Sequence, residues 1–119
     1  MAGSRRDVDE VTALVADRTA SVYGGGCHRS AQFYVDVTAI TRTTGSISVT
    51  IRWRTKSGTT VTIATTASNI TATGVTRLTP TAGVFDTAGR AIPDPTQVNW
   101  DLVGDATDVS GVIYAIYGD

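Results

Sequence analysis

Hydrophobic and polar residues alternate one by one over long stretches of this chain, most clearly at residues 46–54. One side of that run is apolar and the other is polar: Ile47, Val49, Ile51 and Trp53 against Ser48, Thr50, Arg52 and Arg54. Strict alternation is the pattern of a β-strand with one buried face. A second alternating run, residues 60–65, follows a short polar turn. The two runs predict a hairpin in an antiparallel, all-β domain.

Further β-type runs occupy residues 19–23, 31–40, 74–78, 97–103 and 109–117, and glycine-rich or polar turns separate them. This spacing predicts an antiparallel β-sandwich, jelly-roll-like, of about seven or eight strands. Residues 81–96 carry several glycines and prolines, so we expect a long ordered loop there, with a short strand near Val84. Loops of this length in compact domains often carry binding sites.

The N-terminal segment has a different period. Apolar residues recur at helical spacing between Asp7 and Asp17, and Asp7 with Glu10 has the form of a capping box. We therefore predict an N-terminal arm with one short helix over residues 1–17, followed by a β-sandwich domain over residues 18–119. A helix this short needs a packing partner, which is either its own domain or a neighbouring subunit.

The last predicted strand is apolar on both faces. Val109, Ile113, Ala115 and Tyr117 line one side, and Val112, Tyr114 and Ile116 line the other. Such a strand is either covered twice within its own domain or meets another chain with one face. Together with the arm, it supplies the candidate partner-contact residues: Arg5, Arg6, Val8, Val11, Val112, Tyr114 and Ile116.

The composition and charge of the chain limit the classes of partner that it can bind. The chain has 119 residues, long enough for one domain with its own core, and a net charge of −1, which provides no basic field for nucleic acid. Its 21 threonines suit strands whose outer faces meet water. Cys27 is the only cysteine, so no disulfide forms within the chain. The polar N-terminus has no apolar run of signal-peptide length, and we expect a soluble protein made in the cytoplasm without a membrane partner.

The residues carry no catalytic signature. Cys27 and His28 are sequence neighbours, which point to opposite faces of an extended chain and do not form a nucleophile–base couple. A single histidine builds no histidine-rich metal site. Asp101, Asp105 and Asp108 match no calcium motif and are ordinary turn residues. The glycines at 24–26 match no phosphate-binding loop. We predict a protein that is not an enzyme and has no cofactor and no metal.

The aromatic residues leave one alternative open. Trp53 and Trp100 fall on apolar faces, where core tryptophans belong, whereas Tyr34 falls on a polar face. An exposed tyrosine and the loop of residues 81–96 motivate a second hypothesis, a carbohydrate-binding β-sandwich module.

Three segments, residues 18–21 with the glycine-rich turn after them, residues 34–60, and residues 98–115, together resemble small Thr- and Val-rich β-sandwich proteins of tailed bacteriophage virions. Proteins of this kind serve as capsid decoration (cement), head-fibre or minor tail components. The resemblance implies a non-enzymatic virion protein, bound to the major capsid protein or another virion protein and homo-oligomeric, with a trimer favoured. We expect a capsid decoration subunit, and a tail or head-fibre component is the alternative.

Overall fold

Eleven β-strands and no helix make up the regular structure of residues 4–81 and 92–118, the residues that the computed structural model describes. In chain order they are β1 (Ser4–Leu14), β2 (Arg18–Ser21), β3 (Cys27–His28), β4 (Ser30–Thr41), β5 (Ser46–Arg54), β6 (Thr60–Thr65), β7 (Gly74–Arg77), β8 (Thr79–Pro80), β9 (Ile92–Pro93), β10 (Gln97–Val103) and β11 (Thr107–Gly118). The bounds of β5, β6 and β10 are those that the alternating pattern predicts.

The strands form two main sheets. Sheet A has the order β1-β11-β4-β7, sheet B has the order β2-β10-β5-β6-β8, and β3 pairs with β9 in a small separate ribbon. Every pairing is antiparallel. The prediction of an antiparallel, all-β domain is confirmed.

Sheets A and B share one hydrophobic core. Ile47, Val49 and Ile51 of β5 are fully buried, and Trp53 is half-buried against the same core. Trp100 of β10 is fully buried, as its apolar strand face predicts. Each large aliphatic side chain buried in this way contributes roughly 1.5–3 kcal/mol of transfer free energy.

The helix expected over residues 7–17 is not observed, because residues 4–14 form the edge strand β1, paired with β11. The register shifts between Asp7 and Asp9 and again between Val11 and Leu14. Each β-bulge inserts an extra residue, so apolar side chains three residues apart both reach the core. Val8 and Val11 are buried in this way, and their spacing imitates a helical period. Val15, counted in the predicted helical stripe, is 69% exposed.

A polar network joins β1 to sheet B. Asp9 Oδ2 accepts hydrogen bonds from Trp100 Nε1 at 2.8 Å and from Arg18 Nε at 3.0 Å, and Asp9 Oδ1 accepts one from Arg18 Nη2 at 3.0 Å. Because Trp100 and Arg18 lie on β10 and β2, one carboxylate holds the edge of sheet A against two strands of sheet B. The N-terminal segment thus packs on its own domain.

The sequence did not indicate the short ribbon of β3 and β9. It pairs Cys27 with Pro93 and His28 with Ile92, so the end of the predicted long loop is extended and paired. The short strand expected near Val84 lies outside the described residues. Among those residues, no helix is long and apolar enough to cross a bilayer.

Candidate interaction surface

The outer face of sheet A, turned away from the core, carries side chains in three rows that run across the strands. The register gives these rows as Glu10, Val112, Asp36 and Val75; then Asp7, Tyr114, Tyr34 and Arg77; then Arg5, Ile116 and Gln32. Within each row the residues lie on β1, β11, β4 and, for the first two rows, β7. We call this set the outer face of sheet A.

Two stacked tyrosines occupy its centre. The rings of Tyr34 and Tyr114 lie 5.3 Å apart between centroids with an interplanar angle of 16°. Tyr34 Oη donates a hydrogen bond of 2.6 Å to Gln32 Oε1, and the Arg5 guanidinium carbon lies 4.1 Å from the centroid of the Tyr114 ring. Cross-strand aromatic and cation–π contacts of this kind fix side-chain positions. The side chains at the centre of the face are therefore held in position by contacts within the domain.

Exposed apolar side chains extend the face from this centre. Val75 is 58% exposed, Ile116 is 36% exposed, and Val112 is half-buried between its neighbours. On the opposite side of the same strand, Val109, Ile113 and Ala115 are fully buried. The doubly apolar strand is thus covered by the core on one face and open on the other.

Charge is distributed unevenly across this face. Asp7 and Glu10 lie on β1 at one edge of the sheet, and Arg77 lies on β7 at the other edge. Arg5 Nε forms an exposed ion pair with Asp7 Oδ1 at 3.3 Å. Within residues 4–81 and 92–118, Arg77 has no carboxylate at salt-bridge distance. The β1 edge is mainly acidic, whereas the β7 edge is basic.

The structure gathers four of the seven candidate contact residues on this face: Arg5, Val112, Tyr114 and Ile116. Val8 and Val11 instead belong to the core, and the Arg6 guanidinium lies 3.4 Å from the centroid of the Tyr23 ring, away from this surface. Tyr34 was noted from its polar strand face alone. Val75 and Arg77 were missed, because only the pairing of β7 with β4 places them beside Asp36 and Tyr34.

A second cluster lies where β3, β9 and the end of β11 meet. His28 stacks on Tyr117 with ring centroids 3.7 Å apart, and His28 Nε2 lies 2.7 Å from Asp94 Oδ1. The hydroxyl oxygens of Tyr23 and Tyr117 are 2.8 Å apart. Burial raises the pKa of both tyrosines, so both phenols stay protonated at neutral pH. The Asp94 carboxylate also accepts the Gly26 N–H, so the cluster fastens two loop segments together.

Cys27 and His28 point to different environments. Cys27 is exposed, whereas His28 is half-buried against Tyr117 and Asp94. The side chains therefore separate as neighbours on an extended strand do. In the described parts of the chain, no group of three or more His, Cys, Asp or Glu side chains has a geometry that could hold a metal ion.

Asp105 is a turn residue in the structure. Its carboxylate accepts backbone N–H groups of Thr43, Thr44 and Gly45, and these bonds lower the pKa of Asp105, that from Gly45 having the largest effect. The turn before β5 is thereby attached to the turn before β11. A carboxylate that accepts several backbone donors stabilises local structure in its ionised form.

Comparison of the chain with known proteins finds no matching family model, no matching curated protein and no matching solved structure.

Proposed function

We propose that this chain is a non-enzymatic structural subunit of a tailed-phage virion, a capsid decoration subunit that joins an assembled shell in many copies. The observation that carries the proposal is the outer face of sheet A, where ordered tyrosines and exposed aliphatic side chains lie on a strand whose other face is already in the core. A contiguous exposed apolar and aromatic surface of this kind is typical of contact with another protein, and on a shell that carries many copies that protein can be a neighbouring decoration subunit.

We further propose that the domain is a jelly-roll sandwich, and the strand order supports this. Of the described strands, eight have at least four residues, and numbering these from one to eight in chain order gives sheets of order 1-8-3-6 and 2-7-4-5. First pairs with eighth, second with seventh, third with sixth and fourth with fifth, which is a nested hairpin folded over into two sheets. Jelly rolls of eight strands occur in viral capsid and lectin domains. A fold alone does not determine function, so it supports only the class.

The geometry of the tyrosine pair favours a protein partner over a sugar. A sugar stacks on an open aromatic ring face. Arg5 and Tyr34 contact Tyr114 from the strands on its two sides, β1 and β4, so the ring of Tyr114 lies between them. The carbohydrate alternative is therefore less well supported than assembly.

Shell binding tests the proposed function. Shells of the phage that encodes this chain, prepared without it, are mixed with the purified protein, separated by sedimentation and imaged by electron cryomicroscopy. We expect saturable binding and added density at symmetry-related positions on the outside of the shell. Failure to bind shells would contradict the decoration role, and density restricted to the tail or to fibres would replace it with the tail or head-fibre alternative.

A further inference from the structure

We propose that the outer face of sheet A binds a second copy of this chain about a twofold axis, with Asp7 of each copy facing Arg77 of the other. The tyrosines of the two copies meet at the centre of this interface. The inference goes beyond the proposed function because it requires no shell, and it holds or fails for the purified protein alone.

The charges of the central row are complementary between copies and not within one. The row runs Asp7, Tyr114, Tyr34 and Arg77, so acid and base lie on opposite edges of a four-stranded sheet. With strands about 4.8 Å apart, the two edges are separated by roughly 14 Å. Asp7 and Arg77 therefore do not pair in one copy, and each is exposed. Asp7 has an exposed ion pair with Arg5 of its own copy, and Glu10 leaves the outward side chains of β1 with a net negative charge.

One twofold arrangement uses this polarity. An axis that lies in the interface parallel to the strands and passes between Tyr34 and Tyr114 exchanges the two edges of the sheet. It therefore places Asp7 over Arg77 of the second copy, and Tyr114 over Tyr34 of the second copy, each contact occurring twice. Glu10 and Arg5 flank Asp7 on the same strand and both approach the same arginine, with opposite effects, so the contact with Asp7 decides the attraction. A twofold interface must be self-complementary, and this arrangement is.

The perpendicular in-plane axis is disfavoured by the same residues. It would place Asp7 over Asp7 of the second copy and Arg77 over Arg77 of the second copy. Arg5 would face Glu10 of the second copy twice, so two attractions are set against two repulsions, whereas the axis parallel to the strands brings no like charges directly opposite each other. Like charges facing each other across an interface cost affinity. The charge distribution thus selects one of the two orientations.

The size of the face determines how strong this contact is. Four strands and three rows cover roughly 20 Å by 20 Å, or about 400 Å² per copy, half of the roughly 800 Å² that each partner buries in a stable complex. We therefore infer weak, reversible association of the purified protein. On a shell, where many copies are held close together, the effective concentration makes weak lateral contacts count.

The test is a concentration series by analytical ultracentrifugation at low salt, from micromolar protein upward to about 1 mM, a range that covers weak interfaces. We expect a monomer–dimer equilibrium that added salt shifts toward monomer. The Arg77→Asp and Asp7→Arg variants should each raise the dissociation constant about tenfold, since each exposed ion pair is lost twice in a twofold dimer. The double variant D7R/R77D should recover most of that loss. Lys56→Asp, the same type of charge change on an exposed turn outside the face, should leave the constant unchanged.

Several outcomes overturn the inference. The native protein could remain a monomer at every concentration, or it could form a trimer. The single charge reversals could leave the dissociation constant unchanged, or the double variant could associate no better than the single variants. Circular dichroism and thermal melting confirm that the variants are folded. A monomer that still binds shells overturns this inference and leaves the proposed function in place. A dimer that binds no shell overturns the proposed function and leaves this inference in place.

Discussion

The outer faces of the two sheets differ in the side chains that they present to solvent. On sheet B the polar side chains satisfy one another across the strands: Arg52 Nε donates to Asn99 Oδ1 at 3.1 Å, and Asn99 Nδ2 donates to Thr19 Oγ1 at 2.7 Å. The hydroxyls of Thr50 and Thr65 are also in contact at 3.2 Å. The outer face of sheet A instead presents tyrosines and aliphatic side chains, with Asp36 on an inner strand, a net negative charge on β1 at one edge and Arg77 at the other.

This difference indicates which of the two faces would gain more free energy from contact with another protein. A polar face whose groups are already bonded to one another gains little from a protein partner, because a partner must replace those bonds. An ordered aromatic and apolar face gains free energy when a partner covers it and removes it from water. We therefore propose that the outer face of sheet A, and not that of sheet B, contacts another protein.

The most severe change overfills the close approach between β11 and β4, the two central strands of sheet A. A Cβ added at Gly111 would lie 2.5 Å from the Asp36 carbonyl oxygen, a backbone atom that cannot swing away. Gly111→Ala should lower the free energy of unfolding by about 3 kcal/mol, as overpacking does. Urea denaturation measures this. Ser48→Ala on sheet B is the control, expected within about 0.5 kcal/mol of the native protein. Equal stability of the two variants would contradict the close approach.

The second change breaks the link between the two sheets. Asp9→Ala leaves the buried Trp100 Nε1 without its acceptor and Arg18 without its ion-pair partner. We expect a loss of about 2 kcal/mol in unfolding free energy. Asp7→Ala on the same strand, whose carboxylate is 65% exposed, should change stability by less than about 0.5 kcal/mol. If both alanine variants cost the same, β1 does not depend on the Asp9 network.

The third change separates binding from stability. Ile116→Asp places a charge in the apolar part of the outer face of sheet A, and because Ile116 is exposed it should cost less than about 1 kcal/mol of stability. Self-association should nevertheless weaken by about tenfold, since a charge must be desolvated at the interface. The matched change on sheet B, Thr50→Asp, should leave self-association as it is. If both substitutions weakened self-association equally, the two outer faces would not differ in their role.

The smallest effect concerns the turns that connect the sheets. The pKa of Asp105 is lowered by backbone hydrogen bonds, so the carboxylate stabilises the fold at pH values above its unfolded pKa, and this stability is lost as the pH falls through the lowered, folded pKa. Thermal melting between about pH 6 and pH 2 should show a decline in acid. Asp105→Asn should flatten part of that decline. An unchanged acid profile in the asparagine variant would show that the turn does not depend on the charge.

The sequence predicts the strands where alternation is regular and fails over β1, where two bulges make the apolar spacing resemble that of a helix. Residues 46–54 alternate without fault, and residues 46–52 of them pair in continuous register with β10, so the bounds of the strand follow from the pattern. Two bulges in β1 place apolar residues three apart on one face, and a local pattern does not distinguish that from a helix. Pairing with β11 determines the conformation, and pairing is a non-local property.

Part of the candidate surface could be predicted from local sequence, and the rest depends on how distant strands pair. The outward face of β11 was predictable because Val112, Tyr114 and Ile116 share a strand. The stacking of Tyr34 on Tyr114 and the place of Arg77 at the far edge depend on the order β1-β11-β4-β7, which joins segments from both ends of the chain. The charge polarity that gives this face its orientation becomes visible only in three dimensions.

The most direct test of the central claim is hydroxyl-radical footprinting of the protein at low and at high concentration, read residue by residue by mass spectrometry. We expect labelling of Tyr34, Tyr114 and Ile116 to fall as self-association proceeds, whereas labelling of Trp53, half-buried on sheet B, stays constant. Constant labelling of both tyrosines under conditions where the protein demonstrably associates, or protection that appears on sheet B instead, would contradict it.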